Sequence, residues 1–146
     1  MAREVLLVHA ASTFAMAGII WFIQIVHYPL FRLVDEGSFA QYATINRRLT
    51  AFVVVPIMIF EFVTAMLLVW RPLPGLAHWQ VLGGLALLIP IWLSTFFIQW
   101  PQHRKLASVL DAQLISVLIR SNWIRTSLWS ARAAVVFSML ACLTTG

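Results

Sequence analysis

The residues of this chain that could do chemistry are few, and they sit in apolar surroundings. Glu61 lies in the middle of one apolar run and Arg132 inside another. A charged side chain in such a setting must be paired or hydrated, and it marks a functional site by default. The two are each other's natural partners. Glu61 is therefore the candidate catalytic residue, a proton acceptor, and the alternative reading is an ion pair that staples two segments together. Arg125, about two helical turns before Arg132, brings a second positive charge against one carboxylate. The surplus suits an anionic or carbonyl ligand oxygen, a partner's carboxylate, or a lipid phosphate reached by snorkelling. Gln24, Gln99 and Asn122 share the faces of these residues and complete a candidate ligand-binding set with Arg125 and Arg132. His27 and His103 end two apolar runs at matching depth. Two such imidazoles could hold a haem iron or another metal, and a pigment porphyrin would need only one. The plainer alternative is a pair of interfacial histidines bonded to headgroups or carbonyls. His9 and His78 could form a similar pair at the opposite end.

The elements that must position these residues follow from composition. Of 146 residues, 62% are hydrophobic and 10% charged, whereas soluble domains carry about 25% charged residues. Four apolar runs are each long enough to cross a bilayer: Val5 to Phe31, Ala51 to Trp70, Trp79 to Trp100 and Ile124 to Leu143. Trp70, Trp79, Trp100 and Trp123 fall at their ends, where an indole prefers the headgroup level. Ala15-Met16-Ala17 has the form of a cleavage site, but the apolar stretch continues past it, so an uncleaved helix is expected. The fold class is all-α: a four-helix transmembrane bundle in a single domain, 1–146. Cys142 is the only cysteine, which leaves no internal disulfide.

Arg71-Pro72-Leu73-Pro74-Gly75 makes a short turn between the second and third runs. The other two connections, Arg32 to Thr50 and Gln102 to Trp123, are long and amphipathic. Phe39, Tyr42, Ile45 and Leu49 recur at helical spacing in one, and Leu106, Leu110, Leu114, Val117 and Leu118 in the other. They could lie on the membrane surface or extend the spans beyond it. With Arg125 just beyond the second, they hold seven of the ten basic residues. The positive-inside rule therefore places both long connections in the cytoplasm and both termini outside. The net charge of +5 is then a topology signal, and nucleic acid is not an expected partner.

The halves 1–72 and 73–146 resemble each other. Phe22-Ile23-Gln24 returns as Phe97-Ile98-Gln99, and Asn46 to Thr50 returns in part as Asn122 to Thr126. Two similar hairpins related by an axis along the membrane normal would produce this pattern. Each span carries a polar stripe: His9, Thr13, Gln24 and His27; then Thr50, Glu61 and Thr64; then Thr95, Gln99 and His103; then Asn122, Arg125 and Arg132. Hydrocarbon offers such groups no hydrogen bonds, so the stripes should converge inside the bundle. Ala11, Ala15 and Gly18, on the opposite face of the first span, form a small-residue stripe suited to close helix contact.

No phosphate loop, zinc-protease motif or nucleophile elbow is present. His27-Tyr28-Pro29, with Phe39 and Tyr42, Glu61, and Asn122-Trp123 through to Arg132, resembles the small four-helix bacterial membrane proteins of the anthrone-oxygenase-like group. That resemblance implies a four-helix bundle in a bacterial inner membrane and an oxygen-using reaction on a lipophilic aromatic substrate. It assigns no catalytic residue. Two functions are therefore carried forward. The first is an accessory or assembly subunit of a larger redox or light-harvesting membrane complex, packed against lipids, cofactors and other membrane subunits. The second is a membrane enzyme or redox-cofactor carrier with a cytoplasm-facing pocket for a quinone-like or aromatic molecule.

Overall fold

A computed structural model describes residues 2–108 and 110–144, and among them there is no strand. The helices are α1 (Ala2–Phe22), α2 (Tyr28–Leu30), α3 (Glu36–Trp70), α4 (His78–Ser94), α5 (Trp100–Leu106) and α6 (Ala112–Thr144). Two π turns, Ile23–His27 and Thr95–Gln99, join α1 to α2 and α4 to α5, so the chain forms four long helical runs. Three of these, Arg3–Leu33, Glu36–Trp70 and His78–Leu106, are long and apolar enough to cross a membrane. The fourth, α6, is as long but carries Arg120, Arg125 and Arg132, and the last two are buried.

The helix ends are built from local chemistry. Asp35 caps α3 by accepting from the Gly37 N–H, and Asp111 caps α6 by accepting from the N–H groups of Gln113 and Leu114. The Gln80 side chain accepts from the Ala77 N–H at the start of α4. In the turn before α4, Gly75 has a φ of 91°, the left-handed region that glycine enters without penalty. The two amphipathic connections do not form separate surface helices; they continue the α3 and α6 runs. Phe39, Leu106 and Leu118 are buried, whereas Ile45, Leu49 and Val117 are exposed.

Both π turns stand directly before an aromatic-proline pair, Tyr28-Pro29 and Trp100-Pro101. Proline has no N–H for the residue four before it, and its ring crowds that residue's carbonyl. The helix responds by widening for one turn: Tyr28 N–H bonds to Ile23 O, and Trp100 N–H to Thr95 O. This structural match is about one helical turn out of register with the Phe-Ile-Gln sequence match.

The α1 helix packs on α3 and on α6, and α4 packs on both α3 and α6, so the long runs close a ring. Its interior is unusually polar. His9, Thr13, Gln24, Glu61, Thr64, Gln99, Asn122, Arg125 and Arg132 are all buried, while Phe52, Phe97 and Phe137 are largely exposed. The stripe of Ala11, Ala15 and Gly18 does not make the expected helix contact: all three are exposed, and nothing lies within 4 Å of a Cβ built on Gly18. The helices meet instead through the polar faces and through Leu6, Met16 and Ile20.

Candidate functional site

The sequence-derived candidates fall into two separate clusters. The first surrounds Glu61. Arg132 Nε donates to Glu61 Oε1, and Thr13 Oγ1 donates to the same oxygen at 3.2 Å. Arg132 Nη1 donates to the Gly84 carbonyl, and Nη2 lies 3.4 Å from His9 Nε2. The hydroxyl of Thr64 donates to backbone carbonyls of its own helix, at Phe60 and Glu61. His9 Nδ1, 2.9 Å away, must therefore carry the proton that it shares with Thr64. That leaves Nε2 as the acceptor facing Arg132. Glu61 and Arg132 are both 0% exposed, and neither lines the cavity beside Arg125. All four long runs meet at this guanidinium, an arrangement that suits a fastening.

The second cluster lies about two helical turns along α6, at Arg125. Gln24 organises its edge. Its Oε1 accepts from Asn122 Nδ2 at 2.8 Å and from Thr126 Oγ1 at 3.3 Å, and its Nε2 donates to the Ile119 carbonyl. Asn122 in turn offers Oδ1 to Arg125 Nη1 at 3.5 Å. Tyr28, beside Arg125, is hydrogen-bonded through its hydroxyl to His103 Nε2 at 2.8 Å. Gln99 Nε2 donates to Ser121 Oγ, which donates onward to Gln102.

These groups border a cavity of about 210 Å³ between α3 and the α4–α5 run. Arg125, Gln99, His103 and Tyr28 supply its polar lining, with Thr50 and Thr95. Val54, Met58, Trp92 and Phe96 supply apolar walls. Trp92 stacks on Phe96 with ring centroids 5.4 Å apart, and Phe62 meets Trp92 edge-on. Among the described residues, six buried side-chain atoms lack a hydrogen-bond partner, and three of them belong to this one lining: Arg125 Nε, Trp92 Nε1 and Gln99 Oε1. Buried polar atoms are normally satisfied; these three belong to residues of the lining but are themselves closed off from water-sized space. Arg125 is 5% exposed, and among the described residues no carboxylate lies within ion-pair distance of it. A wider, open groove lined by Glu4, Val5, Val8 and Thr64 lacks this character, because its buried polar residue, Thr64, is already bonded to His9.

The structure thus brings Arg125, Gln99 and His103 together, with Gln24 and Asn122 supporting them from behind, and sets Glu61 and Arg132 apart. His27 does not line the cavity. It is half-buried against Phe31, with ring centroids 5.2 Å apart. His103 Nε2 is already engaged by Tyr28, and among the described residues no three His, Cys, Asp or Glu side chains are grouped so as to hold a metal ion. His78 is exposed at the start of α4, away from the buried His9.

Tyr28, Trp92 and Arg47 were not singled out from the sequence. Periodicity alone does not separate Tyr28 from His27, which both lie near the face of Gln24; the π turn decides between them. No family model, curated protein or solved structure matches the chain.

Proposed function

We propose that this chain is an integral membrane protein of four spans that binds a lipophilic molecule with an acidic or quinone-like head in the cavity beside Arg125. The membrane part of this reading is supported by the inverted distribution of side chains. Glu61, Arg125, Arg132, Gln24, Gln99 and Asn122 are inside, and large exposed apolar residues such as Phe52, Phe97 and Phe137 are outside. In water such an exterior would be a liability. In lipid, α6 can span as well, because its two inner arginines face protein. The positive-inside rule then puts the cavity toward the cytoplasm, and Glu61–Arg132 becomes an ion pair within the bilayer.

The observation that carries the ligand reading is the buried Arg125, with no carboxylate at ion-pair distance among the described residues, in the lining of a cavity of about 210 Å³. Arg125 would seat an oxygen of the head as a charge-assisted donor. The apolar and aromatic walls would hold the body. The role of an accessory subunit rests on the outer apolar surface alone, which lipid covers equally well, so the cavity moves the balance toward ligand binding. Whether as carrier or enzyme, Tyr28 and His103 form the group able to hold a proton next to the bound head.

The test is chemical. Protein extracted in mild detergent is denatured in organic solvent, and the extract is analysed by mass spectrometry. A lipophilic molecule should accompany the wild type in near-stoichiometric amount and be lost from Val54→Trp, which fills the cavity with an indole. Equal content in both proteins would overturn the reading.

A further inference from the structure

We infer that the occupant of this cavity is an anionic amphiphile, whose acid head sits on Arg125 and whose tail leaves between α3 and α5 into the bilayer. This inference rests on the ligand-binding reading above and narrows it.

Charge selects the head. The charged residues of the lining are Arg47 and Arg125, both positive. Glu61, the one buried carboxylate among the described residues, is taken by Arg132. A neutral carbonyl would leave Arg125 buried with its charge unmet, whereas an anion supplies both the charge and the acceptor. A carboxylate or a phosphate supplies such an anion.

Size and the mouth select the tail. A cavity of about 210 Å³ has room for about seven water volumes, enough for a head and a few methylenes. The rest of a long chain must lie outside. Three lining residues, Val55, Phe96 and Trp100, are each about half exposed on the outer apolar surface between α3 and the α4–α5 run. They give a tail an apolar exit. Arg47, stacked over the Trp100 ring at 5.9 Å, places a second cation at this mouth. An acid head would pass it on the way to Arg125.

The full-length protein is placed in nanodiscs of zwitterionic lipid and titrated with a bromine-labelled long-chain carboxylic acid, with tryptophan fluorescence as the readout. Saturable quenching is expected, with an amplitude reduced in Trp92→Phe and an affinity about tenfold or more weaker in Arg125→Gln. The methyl ester of the same acid should quench without saturation. Brominated phosphatidic acid, run in parallel, separates a phosphate head from a carboxylate head: saturation by either one supports the inference and names the source. Saturable binding of the ester equal to that of both acids, still abolished by Val54→Trp, would overturn the anion and leave the cavity reading standing. Failure of acids and ester alike to saturate would overturn both. Should Arg125→Gln fail to fold, Arg125→Lys keeps the charge without the planar fork. It must then bind the acid more weakly than wild type yet still prefer it to the ester; an unchanged affinity or a lost preference would contradict the inference.

Discussion

Replacing Glu61 with Gln keeps the shape of the side chain and removes its charge. Arg132 would then hold a full positive charge at 0% exposure with only neutral acceptors as partners: the new amide oxygen, the Gly84 carbonyl and the His9 imidazole nitrogen. Solvent cannot screen it there. Breaking a buried pair from one side is worth about 3–5 kcal/mol of stability. At roughly 2–4 °C per kcal/mol for a chain of this size, the thermal midpoint should fall by about 10 °C. The assay is thermal unfolding of the detergent-solubilised protein, followed by circular dichroism. Removing both charges should repair much of the damage, because well-packed apolar residues often replace a buried pair without loss. The double variant Glu61→Leu with Arg132→Met is therefore expected to be more stable than Glu61→Gln alone. A Glu61→Gln protein within about 1 kcal/mol of wild type would refute the assignment of this cluster as a fastening, and so would one that folds normally but has lost its ligand.

Three further outcomes follow from the same geometry. A Cβ on Gly84 would meet Arg132 Nη1 at 3.5 Å and Met139 Cε at 3.6 Å; Gly84→Ala should fold with near-normal stability, whereas Gly84→Leu must displace Arg132 and should lose about 1–3 kcal/mol, read as a shift in thermal midpoint. Gln24→Leu removes the partner of Asn122, Thr126 and the Ile119 carbonyl and should lose about 2–3 kcal/mol, more than the roughly 1 kcal/mol expected for Gln99→Leu, which breaks one bond to a serine that has another partner. Cysteine placed at Phe52 or Phe97, both among the most exposed apolar residues, should resist a water-soluble maleimide in native membranes and react after denaturation, while cysteine at Gly75 in the turn should react at once.

Much of this architecture is legible in the sequence because most of the chain is long apolar runs. Long apolar runs need no periodicity to be recognised, and a polar residue within one has few places to go. The pattern therefore indicated the helices, the inward polar stripes and the partnership of Glu61 with Arg132. Two things were not legible. One was the pair of π turns, each of which adds a residue to its turn. A constant 100° per residue carries His27 inward with Gln24, whereas the widened turn sends Tyr28 inward and leaves His27 packed against Phe31. The available clue was the effect of Pro29 and Pro101 on the preceding carbonyls. The other was the division of the arginines. Arg125 and Arg132 look equivalent on one helical face, and only the ring of helices, which sets Glu61 of α3 across the interior from Arg132 of α6, gives the carboxylate to Arg132 and leaves Arg125 to the cavity. The small-residue stripe misled for a related reason: small side chains permit close contact but do not require it, and here the polar face decided which side turned inward.

The central claim is that the cavity beside Arg125 holds the head of an acidic amphiphile. Its most direct test is photo-crosslinking in native membranes. A long-chain carboxylic acid carrying a diazirine near its head is activated by light, and the modified residues are mapped by peptide mass spectrometry. The account predicts labelling concentrated on Val54, Met58 and Phe96 around the cavity, competed by excess unlabelled acid and lost in Arg125→Gln. Labelling spread over the lipid-facing side chains such as Phe52, Phe97 and Phe137, indifferent to competitor and to Arg125, would contradict it.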